Sequence, residues 1–214
     1  MLPSRTPVLL ACILLVHFPG LSAQESPDGD GEVDRGSLAD PEAYPRPVAE
    51  AMRVAEAPRL DGRLDEAFWA RARVLTDFIQ SQPDAGALAT ERTEVRVVYD
   101  DDALYVGAML YQSRPGDYVI QSLERDFPSL STRDADIFSV TLDTFLDRRN
   151  SFIFLINPYG AVRDGQTFND SRSTDFGFDI PAEVETAHLE DGWSLELRIP
   201  WTGIRYDASR EEQV

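Results

Sequence analysis

The chain has 214 residues, 43% hydrophobic and 10% aromatic, enough for one globular domain with a real core. All 20 basic residues are arginine, against 38 acids. The net charge of −18 excludes nucleic acid and anionic lipid as natural partners, and leaves neutral ligands and hard cations open.

Residues 1–23 have the layout of a secretory leader. Arg5 supplies the positive start, 8–18 form an apolar core too short to span a bilayer, and Leu21-Ser22-Ala23 is a cleavage site. Cys12 is the only cysteine, so a chain starting after Ala23 has no disulfide and no thiol chemistry. Residues 24–51 are rich in Asp, Glu, Gly and Pro, and predict a disordered linker that buries too little surface to offset ordering entropy. No transmembrane helix is expected after leader removal. Export is the expectation, to a periplasmic, outer-membrane-associated or extracellular location.

A single domain is expected over 52–206, with 207–214 as a tail or truncation point. Residues 53–57 predict a short first strand. Asp61-Gly62 signals a turn, and Asp65 is a suitable N-cap for a short helix over 66–73. The period then changes from helical to alternating. Residues 93–99 place Val95, Val97 and Tyr99 on one side and Glu94 and Arg96 on the other. Asp100-Asp101-Asp102 turns the chain into a second strand over 104–111, making an antiparallel hairpin. A strand over 137–145 follows, then the apolar run 152–156, expected to be buried on both faces. Asn157-Pro158-Tyr159-Gly160 is a strong turn. Residues 178–189 are a looser strand candidate. The cleanest half-buried strand is 193–199, where Trp193, Leu195, Leu197 and Ile199 alternate with Ser194, Glu196 and Arg198. Strands joined by short turns, with one short helix near the start, predict an all-β antiparallel sandwich.

Four segments carry a family resemblance: LDGRLDEAFWARA, QSQPDAGALATERTEVRVVYDDDALYVGA, RDADIFSVTLDTFLDRRNSFIFLINPYGAVRDG and EDGWSLELRIPWTGIRY. In this order they resemble the family 9 carbohydrate-binding modules and their DOMON-like relatives, especially those N-terminal to outer-membrane β-barrels. The resemblance implies a jelly-roll-like sandwich, export, oligo- or polysaccharide binding, and association with hydrolysis of O-glycosyl compounds in carbohydrate catabolism. It also implies structural calcium. Close relatives carry tryptophan before the DGW strand, whereas this chain reads Asp175-Phe176-Gly177-Phe178-Asp179. Barrel-type relatives continue for hundreds of residues, so the chain is expected to be a fragment or a free-standing sandwich.

Sugar sites combine aromatic faces with planar polar groups. Trp69 and Trp193 fall in phase with core positions. Trp201, after Pro200, and Tyr159, in its turn, are the aromatic ligand candidates. Asn157, Arg163, Asp164, Gln166 and Asn169 cluster in or beside turns, as polar contacts or as a solvated loop. Arg125-Asp126 and Arg133-Asp134 read as a binding loop or a salt-bridged structural one. No cofactor is required by these residues. Asp100, Asp102, Asp134 and Asp136 are candidate calcium carboxylates, though their spacing matches no EF-hand loop. His188 is the only histidine outside the leader, and no nucleophile, phosphate-cradling or dinucleotide motif is present, so no catalytic site is expected. Two readings follow: an exported sugar-binding module, or a periplasmic accessory domain of an outer-membrane barrel acting through protein contacts.

Overall fold

The computed structural model describes residues 12–17, 50–80, 83–84, 86–120, 122–127, 135–147, 149–168 and 173–206. The linker over 24–49, the tail over 207–214 and most of the leader lie outside these residues. Among the described residues ten strands form two five-stranded sheets, a β-sandwich. Sheet A has the order β1 (Cys12–His17), β5 (Ile137–Leu142), β6 (Ser151–Ile156), β7 (Val162–Phe168), β8 (Ser173–Asp175). Sheet B has the order β2 (Met52–Arg53), β3 (Thr93–Tyr99), β4 (Ala103–Tyr111), β10 (Gly192–Pro200), β9 (Glu183–Leu189). Every pairing is antiparallel except β2 with β3.

Alternation explains the inner faces. Phe138, Val140 and Leu142 of β5 and Phe152, Phe154 and Ile156 of β6 are in register and fully buried. They belong to one cluster with Val95, Val97, Leu104, Val106, Trp193, Leu195, Leu197 and Ile199 of sheet B. Burying such side chains contributes about 1.5–3 kcal/mol each before entropy is counted. β6 is otherwise covered on its outer side as well, where only Ile153 is partly exposed.

Three expectations are corrected. First, residues 66–73 do not form a helix. They are successive turns, with Trp69 N–H donating to Glu66 C=O and Ala72 N–H to Phe68 C=O. One helical bond cannot offset the cost of helix nucleation, and the segment is flattened by packing on sheet B. Second, the polar stretch after the Asn157 turn is not a loop but β7, with β8 beyond it. Gly165 sits mid-strand because a Cβ there would lie 2.5 Å from Asp175 C=O. Third, β10 is buried on both faces: Ser194 and Glu196 are as inaccessible as their apolar neighbours. A third layer, the strap of residues 57–72, covers this outer face of sheet B. Its Trp69 clusters with Val54, Ala72, Val98, Ala103 and Tyr105. Among the described residues no helix is long and apolar enough to cross a membrane.

Candidate functional site

The strap is held by one carboxylate. Asp61 and Gly62 N–H both donate to Glu196 Oε2, at 2.9 and 3.1 Å, and the Trp69 indole N–H donates to Oε1 at 3.2 Å. Ser194 Oγ adds a bond to Gly62 C=O at 2.6 Å. Burial dominates the electrostatics of Glu196 and, with nearby Glu66 helping, pushes its pKa up to about 7 despite the three donors. Gly62 is required here: its φ is +79°, and a Cβ would lie 2.4 Å from the Thr186 carbonyl carbon. Gly107 serves the same packing from β4, because a Cβ there would meet the Trp69 ring at 3.0 Å.

Where the strap stops covering sheet B it leaves a groove of about 400 Å³. Leu64, Met109, Tyr111 and Leu189 supply its apolar surface, and Arg63, Asp65, Glu94 and Arg96 its charged groups. Alternation along β3 puts Glu94 and Arg96 on this one face, and Arg92, just before the strand, reaches Glu94 beside it. Both arginines pair with the buried Glu94, Arg96 at 3.0 Å. The Arg92 guanidinium also lies 4.9 Å from the Tyr111 ring centroid. Planar charged groups are thus fixed beside an aromatic ring, the combination that a polyhydroxylated ligand needs.

The residues singled out in the sequence are spread over the molecule. Tyr159 and Trp201 lie at opposite ends of the sandwich. Tyr159 lies between β6 and β7, at the end where β10 begins, and Trp201 lies where β10 finishes. Tyr159 is 50% exposed and packs edgewise with Tyr118 and His188, at centroid distances of 6.2 and 4.7 Å. Trp201 is half-buried in a 3-10 turn (Trp201–Gly203), its indole N–H donating to Asp100 C=O at 3.1 Å. Asn157 is buried and consumed by its turn: Oδ1 accepts from Tyr159 and Ala161 N–H, and Nδ2 donates to Ser122 C=O. Asp164 is also buried, paired with Arg125 at 2.7 Å and accepting from Ile180 N–H at 2.6 Å. Arg163 stacks 3.6 Å over the Phe176 ring on the outer face of sheet A, and burial lowers its pKa. Gln166 is half-buried on β7. Asn169, Arg133 and Asp134 lie outside the described residues.

Asp100 and Asp136 are engaged within the protein. Asp100 accepts from Asp102 and Ala103 N–H and from Tyr105 O–H. Asp136 accepts from Val119 N–H at 2.8 Å, and burial raises its pKa. They sit at opposite ends of the sandwich, with Asp102 exposed beside Asp100. Among the described residues no group of three or more His, Cys, Asp or Glu side chains converges on a metal position.

No family model and no curated protein matches the sequence. Solved structures similar to the chain include two family 9 modules. One is a family 9 carbohydrate-binding module from Caldicellulosiruptor kristjanssonii in complex with cellotriose, 22% identical, covering 70% of this chain and 67% of that one, with a TM-score of 0.47. The other is a family 9 module from the same organism in complex with glucose, 18% identical, covering 77% of this chain and 82% of that one, with a TM-score of 0.49.

Proposed function

We propose that this protein is an exported, non-catalytic module that binds oligo- or polysaccharide and serves carbohydrate breakdown, with the sugar held in the groove on the outer face of sheet B. The observation that carries this reading is the groove itself. Its size suits a small ligand, and it sets Tyr111 and apolar side chains beside the interlocked Arg92, Glu94 and Arg96. The ordered likeness to family 9 modules supports the same ligand class, as does a net charge unsuited to anionic polymers. The test is calorimetric titration of the folded protein with a broad panel of neutral mono- and oligosaccharides. Saturable heat with at least one glycan is expected, reduced about tenfold in affinity by Tyr111→Ala, the loss of ~1.4 kcal/mol. Silence across the panel from a folded protein refutes the reading.

A second reading, an accessory domain of an outer-membrane barrel acting through protein contacts, is favoured by the edge of sheet A. There β5 is covered only by a strand that falls inside the expected leader.

A further inference from the structure

The strap is fastened to β3 at both ends. Before it, Val54 N–H donates to Tyr99 C=O at 2.9 Å. After it, Leu75 and Val95 exchange both backbone bonds, at 2.8 and 2.9 Å. Between these anchors, among the described residues, the bonds that hold the strap to sheet B are the three accepted by Glu196 and the one from Ser194 Oγ to Gly62 C=O. Its other bonds close within it, as from Arg59 N–H to the Glu66 carboxylate and from Arg63 N–H to that of Asp61. The sheet beneath does not depend on it, being paired through β3, β4, β10 and β9 and packed into the main core on its inner face. A segment tied down in this way can open by itself, at a free energy below that of unfolding.

The groups around Glu196 decide what its ionisation does. Opposite it on β9 stands Glu185, which is exposed. Opposite it on β4 stands Gly107, with Arg96 of β3 beyond, and Arg96 is engaged by Glu94. Along β10 itself the nearest charge on this face is Arg198, which pairs with Glu183. The strap brings Asp61, paired with Arg59, and Glu66, whose Oε2 is buried without a hydrogen-bond partner. Its Arg63 and Asp65 are exposed. Among the described residues no ion pair ends on Glu196. An ionised Glu196 therefore has three N–H donors but no cation, and acids on two sides. Water reaches it only if the strap lifts.

The strap supplies Leu64, Trp69 and Ala70 as one wall of the groove, facing Met109 and Tyr111 of β4. We propose that the strap is a proton-operated latch on this groove: it is closed while Glu196 is neutral, and ionisation of that buried carboxyl frees it between its two β3 anchors and removes the wall. The sign follows from linkage. Burial, with Glu66 adding to it, raises Glu196 to about 7 in the closed state, against the ordinary 4.5. Between those values the closed strap holds a proton that the open one releases. Closure is therefore fully supported below pH 4.5 and loses that support as pH rises through 7. What the latch means for a ligand rests on the reading of the groove as the sugar site; the latch itself does not.

The experiment is amide hydrogen exchange of the full chain by NMR at pH 5 and pH 8, corrected for intrinsic rates. Protection of the Asp61 and Gly62 N–H groups is expected to lie at least about tenfold below that of Phe154 N–H in β6 at both pH values, and to fall at least about tenfold from pH 5 to pH 8. In Glu196→Gln the titrating group is gone, and strap protection is expected to be equal at the two pH values. If that variant does not fold, the carbon-13 signal of the Glu196 carboxyl in the natural protein replaces it, and its titration is expected to track the loss of strap protection. Strap amides that keep their protection at pH 8 overturn the proposal. Strap amides as protected as Phe154 also overturn it, since the strap then opens only with the whole domain. A fall that persists in Glu196→Gln, or a carboxyl already ionised at pH 5, does the same. Sugar titration at pH 5 reads the groove separately. Silence there with the strap transition intact removes the sugar reading alone, and sugar binding without the transition removes the latch alone.

Discussion

The Trp69 indole N–H donates to Glu196 Oε1 at 3.2 Å, joining residues 127 positions apart in the sequence. The tryptophan of the first Asp-Gly motif is thus bound to the strand that the second motif opens. The carboxylate between them is nearly inaccessible and takes two further backbone donors.

This carboxylate makes stability depend on pH. A free glutamate titrates at 4.5, and Glu196 in the fold at about 7. Between those values the native state binds more protons than the unfolded chain. The contribution of Glu196 is therefore fully present below pH 4.5 and is lost as pH rises towards 7. Urea unfolding at pH 5 and pH 8 is expected to show this loss in the natural protein and not in Glu196→Gln. Equal changes in both proteins would remove Glu196 as the source. The Gln variant is expected to be less stable at pH 5 by about 1–3 kcal/mol, since its amide cannot accept from all three donors.

Two left-handed glycines should separate backbone strain from crowding. Gly62 and Gly116 have φ of +79° and +87°, but only Gly62 is hemmed in by the Thr186 backbone. Gly62→Ala is expected to cost on the order of 3 kcal/mol or more, and Gly116→Ala about 1 kcal/mol. Comparable costs in denaturant unfolding would mean that the strap does not press on β9.

Asp164 was a ligand candidate by composition, and its contacts make it scaffold. Asp164→Ala leaves the Ile180 N–H without its acceptor and takes the nearer carboxylate from Arg125, which keeps Asp126 at 3.8 Å. A loss of about 1–3 kcal/mol in unfolding free energy is expected, with sugar affinity per folded molecule unchanged. An affinity loss in a fully stable variant would return Asp164 to the binding site.

Trp201 and Tyr111 give opposite expectations for binding. Trp201 lies at the far end of β10 from the groove, so Trp201→Ala should leave sugar affinity unaltered. Tyr111→Ala should weaken it about tenfold, ~1.4 kcal/mol. The reverse pattern in calorimetry would move the site to the β3–β4 end of the sandwich.

Much of the scaffold was legible because alternation writes the inner faces directly. The limits of β3 and the core position of Trp193 follow from it, whereas Trp69 is buried as expected but from turns over the outer face of sheet B, not from the apolar side of a helix. The outer faces do not follow. The Ser194-Glu196-Arg198 side of β10 looks solvent-facing in one dimension, and only the strap shows why Ser194 and Glu196 are buried. β7 was hidden by its polar composition: Asp164 is stabilised by Arg125, which lies 39 residues away. The groove had a faint signal in Glu94 and Arg96, which alternate along a strand legible in the sequence. Tyr118 and His188, neighbours of Tyr159, had none, since no local pattern says which strand ends share one end of a sandwich.

The strap and β10 meet only after nearly all of the domain has been made. β10 also sits centrally in sheet B, between β4 and β9, so neither that sheet nor its outer layer can close without it. The sequence separation of these contacts is large, and structures built from such contacts fold slowly. A growing chain would therefore stay open until β10 emerged.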